Sequence, residues 1–180
     1  MDRISCIVLF LLLSRFAALA RETMSIPKWQ TKEDFRSAEY SVLEKILWLE
    51  DNPMATISND TKSISEYILY WLSNAQYMSV TFDEVFLEGL SNNKKYKFGE
   101  KFRVTYLFGK SYFILSNKGV VNEVGASRRG IEGMVKVYQE LKKIDPSAKH
   151  RILEKYSRLV KTDKIDDYVE SQLAKVDAES

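Results

Sequence analysis

Apolar side chains recur at helical spacing along most of this chain, and that pattern restricts the fold more than any other feature. In its cleanest stretch Ile64, Tyr67, Ile68, Trp71, Leu72 and Ala75 stand at i, i+3, i+4, i+7, i+8 and i+11. Ser63-x-x-Glu66 reads as a capping box opening that helix, after a polar loop from Met54 to Lys62. Upstream, Thr31 with Asp34 predicts an N-cap, and Phe35, Ala38, Val42, Leu43, Ile46 and Leu47 share a face. Asn52-Pro53 predicts its end, with Asn in a left-handed conformation and Pro unable to continue.

Downstream, Val80-Thr81-Phe82 reads as extended, and Asp83 as the cap of a short turn carrying Val85, Phe86, Leu87 and Leu90. From Val120 a further helix carries Ile131, Met134, Val135, Tyr138, Leu141 and Ile144. Asp145-Pro146 reads as the cap and first residue of the next, with Ile152, Leu153, Tyr156, Leu159 and Val160 on its stripe. Thr162-Asp163 opens the last, on Ile165, Tyr168, Val169, Leu173 and Val176.

The segment from Phe98 to Leu115 allows two readings. Phe102, Val104, Tyr106 and Phe108 alternate with Arg103, Thr105 and Leu107, as in a β-hairpin at 102–115 turning on Gly109-Lys110. Against that, Leu107-Phe108 and Tyr112 to Leu115 make too continuous an apolar run for a half-solvated hairpin. A helix buried on most of its circumference fits better, with Gly109 and Ser111 allowing close helix contact. The expected fold is all-α: one compact domain of about six helices spanning 21–180.

The first twenty residues read differently. Arg3 supplies a basic start, Ile4 to Leu13 is an apolar run broken only by Ser5 and Cys6, and Ala18-Leu19-Ala20 is an A-x-A site. This predicts a cleavable signal peptide, 1–20, with the cut between Ala20 and Arg21, although Asp2 and Arg15 are unusual in such a leader. A spanning helix needs about 18 consecutive apolar residues, which this run does not reach. No stable membrane insertion is therefore expected after cleavage. The expected address is periplasmic or extracellular.

Removing the leader takes away Cys6, the one cysteine, and with it thiolate chemistry and thiol-bound zinc. Removing Arg3, Arg15 and Asp2 as well leaves 25 basic and 24 acidic side chains, from 27 and 25. That balance argues against a nucleic-acid partner, which calls for a basic face. Gly109-Lys110-Ser111 imitates the end of a phosphate-binding loop, yet Val104 stands where that motif needs Gly. His150, the one histidine, lies between Lys149 and Arg151, whose charges lower its pKa, and reads as a surface residue. No metal site and no cofactor are expected.

The remaining catalytic candidates are carboxylates. Asp83 and Glu84, with Glu88 nearby, are the strongest, since a glycosidase needs two acids facing across a cleft. The same residues also suit a helix start. Among the aromatics, Tyr40, Trp48, Tyr70 and Tyr77 fall off or beside their stripes and are the candidate binding residues. Asn59-Asp60-Thr61 has the form of a glycosylation sequon.

Trp48-Leu49 with Asn52-Pro53, Tyr70-Trp71-Leu72-Ser73-Asn74, Val80-x-Phe82-Asp83 and Gly133-Met134 together resemble a group of uncharacterised exported bacterial helical proteins. The resemblance implies a helical fold and an exported address, and brings no activity or site residues. The expectation is a non-enzymatic module binding a protein or envelope component. The alternative is a carboxylate-dependent hydrolase acting on a glycan or cell-wall polymer. A third reading, a small apolar ligand between helices, needs a cavity beside Phe102, Phe108 and Phe113.

Overall fold

In the computed structural model the described residues are 27–53, 59–90, 96–120 and 122–179. The expected leader, its cut at Ala20–Arg21, and most of the expected polar loop 54–62 lie outside them. Among the described residues there are eight α-helices, one 3-10 turn and no strand, in a single compact body. The helices are α1 (Lys32–Ser37), α2 (Glu39–Asp51), α3 (Asn59–Asn74), α4 (Glu84–Leu87), α5 (Gly99–Ser116), α6 (Glu123–Ile144), α7 (Arg151–Lys161) and α8 (Ile165–Glu179).

The Thr31–Asp34 capping box forms as expected, each side chain bonded to the other's backbone N–H. The helix it opens does not run unbroken to Asp51. The Phe35 carbonyl accepts the Ala38 N–H at 3.2 Å and the Trp71 indole N–H at 2.9 Å. A side chain inserted into the ladder separates α1 from α2 at Ala38. Asn52 does end α2, but with φ −123°, outside the left-handed region expected for it.

Helix α3 begins at Asn59, so Ser63 and Glu66 lie inside it and the expected capping box does not mark its start. The alternative of a β-hairpin at 102–115 is not what forms: the stretch lies within α5, the helix expected there. Two apolar clusters meet on that helix. Phe102 and Tyr106 join Phe86, Ile131, Met134, Tyr138, Leu153 and Tyr156. Phe108 and Leu115 join Val42, Ile46, Ile68 and Trp71. A helix with cores on two sides has little room for a polar face, which explains the unbroken apolar run.

Helices α5 and α6 form the central pair. A Cβ on Gly109 would lie 2.7 Å from the Arg129 carbonyl oxygen and 2.8 Å from the Gly130 Cα. The two backbones therefore touch, and glycine is required at the crossing. The Phe113 ring packs over Gly125. Lys118 and Gly119 close α5 at φ 55° and 80°, with the Gly119 N–H bonded to the Ile114 carbonyl.

Helix α6 starts at Glu123, a turn later than expected, because Asn122 accepts the Gly125 N–H. Asp145 caps only the 3-10 turn Pro146–Ala148, and α7 takes His150 as its own N-cap. Likewise Asp163 lies in the left-handed region at φ 53° and helix α8 starts two residues later. Among the described residues no helix is long and apolar enough to cross a membrane.

Candidate functional site

The two carboxylates proposed for catalysis do not face each other. Asp83 precedes α4 and makes no capping bond with its side chain. Its Oδ2 instead accepts from Lys110 Nζ at 2.7 Å, from Ser127 Oγ at 2.8 Å and from the Tyr106 hydroxyl. Lys110 is 1% exposed and also reaches Glu123 at 3.0 Å. Burial, and then the Asp83 charge, push the Tyr106 phenol far above its ordinary pKa, so it donates.

Glu84, by contrast, is exposed and meets Arg103 at 3.5 Å on the outside. Asp83 thus ties the segment before α4 to the α5–α6 pair. A carboxylate oxygen already taking three donors is poorly placed to act as nucleophile or base. Lys110 and Ser111, which imitate a phosphate-binding loop in sequence, are interior residues of a helix.

A second interior ion pair joins α2 to α6. Arg129 holds both oxygens of Glu50, each at 2.8 Å, and Gly133 leaves space for that carboxylate. Lys136 extends the set to Asp51 at 2.6 Å. Sequence reading misses these residues because the partners stand 79 positions apart. One signal was present: charged residues set among glycines and apolar residues in Arg129–Met134.

His150 is half-buried rather than a surface residue. Its Nδ1 accepts the Ile152 N–H at 3.3 Å and its ring lies 4.5 Å from that of Tyr96. Burial and then Arg151 lower its pKa, against a hydrogen bond with the Gly89 backbone. No group of three or more His, Cys, Asp or Glu able to hold a metal occurs among the described residues.

Of the four aromatic candidates, Tyr77 has the most elaborate surroundings. It follows the C-terminus of α3, its ring edge-on to Trp71 at 6.2 Å. Its hydroxyl donates to Glu39 Oε1 at 2.8 Å. Lys32 and Arg36, on α1, stand 5.6 and 5.4 Å from the ring centre. Burial, then the Glu39 hydrogen bond, raise the Tyr77 pKa.

Tyr77 lines two clefts, of about 510 and 540 Å³. The first runs past Trp29, Phe35, Asn74 and Gln76. The second carries Arg36, Glu39, Met78 and Lys118, and Lys32 lines both. The structure does not gather the other three candidates here. Tyr40 stands 71% exposed on α2, Trp48 is half-exposed farther along the same helix, and Tyr70 stacks on Trp29 at 5.9 Å. The sequon's Thr61 is buried at the start of α3.

Comparison with protein-family models, with curated proteins and with solved structures finds no match for this chain.

Proposed function

We propose that this protein is a non-enzymatic binding module, working outside the cytoplasm, whose contact surface is the pair of clefts flanking Tyr77. The observation that carries this reading is the Tyr77 ring itself. It lines two concave surfaces, with Lys32 and Arg36 beside it, and the second of these surfaces also carries Lys118 and Glu39. Cations beside an aromatic wall suit a partner segment that carries carboxylates and apolar or aromatic side chains. The exported address rests on the leader pattern before Arg21 and on the resemblance to exported helical proteins.

The hydrolase reading draws no support from Asp83, whose Oδ2 already accepts from Lys110, Tyr106 and Ser127. A dye-labelled peptide alternating Glu and Phe tests the binding reading by fluorescence anisotropy at low salt. Binding should weaken on the order of tenfold in both Tyr77→Ala and Arg36→Glu, and should fall with added salt. Equal affinity for these variants and the parent refutes the assignment of the surface. Sequencing the N-terminus of protein recovered outside the cytoplasm tests the address. Arg21 is the expected first residue, and an intact Met1 contradicts it.

A further inference from the structure

The second cleft beside Tyr77 is not uniformly cationic. Lys32, Arg36 and Lys118 line it together with Glu39, and among the described residues none of these three cations has a carboxylate partner. Elsewhere basic side chains are paired: Lys97 with Asp145, Arg103 with Glu84 and Lys142 with Glu154. Glu39, half-buried in the first turn of α2, likewise has no cation against it among the described residues. Its Oε1 accepts the Tyr77 hydroxyl at 2.8 Å, which fixes the carboxylate, and its Oε2 has no donor among the described residues.

The Tyr77 hydroxyl has one hydrogen and gives it to Glu39, so to any ligand its oxygen can only accept. Two acceptors, Tyr77 Oη and Glu39 Oε2, therefore adjoin one another in a cleft whose remaining charge is positive. A ligand carrying carboxylates alone satisfies Lys32, Arg36 and Lys118 but sets its own oxygens against this acceptor pair. A guanidinium, with its N–H groups fixed in one plane, serves both acceptors at once, which the point charge of an ammonium does less well. We propose, on the strength of the Tyr77 binding surface assigned above, that Glu39 sets the specificity of that surface. It selects a partner segment in which an arginine stands between carboxylates, the arginine on Glu39 and the acids on Lys32, Arg36 and Lys118. Tyr77 then acts through its ring as a wall of the cleft and through its hydroxyl as the group that positions Glu39. A purely acidic segment is disfavoured by repulsion from Glu39, and the mixed segment is favoured by attraction to it.

Two dye-labelled peptides test this on the full chain by fluorescence anisotropy at low salt. One alternates Glu and Phe, and the other is identical except for a central Arg in place of Glu. The parent should bind the Arg-containing peptide on the order of tenfold tighter, although that peptide is the less negative of the two. Glu39→Gln keeps an oxygen for the Tyr77 hydroxyl while removing the charge, and should reverse the order, leaving the all-Glu peptide the tighter. Tyr77→Phe, which keeps the ring and releases the carboxylate, should shrink the preference without reversing it. Suppose both peptides lose affinity in Arg36→Glu, yet the parent favours the all-Glu peptide or Glu39→Gln leaves the ratio unchanged. The binding surface then stands, and the selective role of Glu39 is overturned. If neither peptide loses affinity in Arg36→Glu or in Tyr77→Ala, the surface itself is misassigned and the role of Glu39 falls with it.

Discussion

Replacing Asp83 by Asn removes the charge on which Lys110, Tyr106 and Ser127 converge. Lys110 is 1% exposed, so its ammonium stays buried with only the half-exposed Glu123, 3.0 Å away, as an anionic partner. Breaking a buried pair by removing one member costs about 3–5 kcal/mol. Glu123 offsets part of this, which places Asp83→Asn near 3 kcal/mol. For a chain of this size each kcal/mol lowers Tm by about 2–4 °C, so a fall of about 6–12 °C is expected in far-UV circular dichroism. The double variant Asp83→Asn, Lys110→Met removes the stranded cation and should recover about half of the loss. A single variant as stable as the parent, or a double variant less stable than the single, refutes the view that Asp83 serves to bury Lys110.

Other perturbations follow from the same contacts. Gly109→Ala pushes a methyl group against backbone on α6 at 2.7–2.8 Å. Overpacking against rigid backbone costs up to about 3 kcal/mol and helix propensity returns about 1, leaving a net loss of up to about 2 kcal/mol, read as a lower urea midpoint at unchanged m-value. His150 has a lowered pKa and caps α7 through an unprotonated Nδ1. The unfolded chain therefore binds a proton more readily than the native one, and this contribution to stability falls as pH drops through the unfolded value of about 6.5. An NMR titration midpoint for His150 at or above 6.5 contradicts it. Asp145 is held down to about 2 by Lys97 and Ser147, so its support of the 3-10 turn is present above about pH 4. It is lost as pH falls toward 2, and a carboxyl-carbon titration centred near 4 counts against this.

What was legible in the sequence was local. The Thr31–Asp34 box involves residues three apart, and α5 could be told from a hairpin by the length of its apolar run. Gly109 pointed to close helix contact because a small residue stands in that run. What failed depended on distant partners. The break at Ala38 arises from Trp71, more than thirty residues away. Ser63-x-x-Glu66 has the form of a cap inside a helix that begins earlier. The same limit applies to the candidate site. Tyr77 stands out in the sequence because it falls off or beside its apolar stripe, but the cations beside it come from α1, and Lys118, in the second cleft, from the end of α5. Asp83 reads in sequence as a helix cap or a catalytic acid, yet its side chain answers to Tyr106 and Lys110 on α5 and Ser127 on α6. The interior pair Glu50–Arg129 could not be matched at all, since nothing local links α2 to α6.

The binding surface around Tyr77 is tested most directly by mapping amide shifts of the labelled protein as the Glu-Phe peptide is added. Shifts confined to residues around Lys32, Arg36, Tyr77 and Lys118, and abolished in Arg36→Glu, are the predicted result. Shifts spread evenly over the lysine-bearing surface, or centred on Trp48 and Tyr40 with Tyr77 unmoved, contradict it.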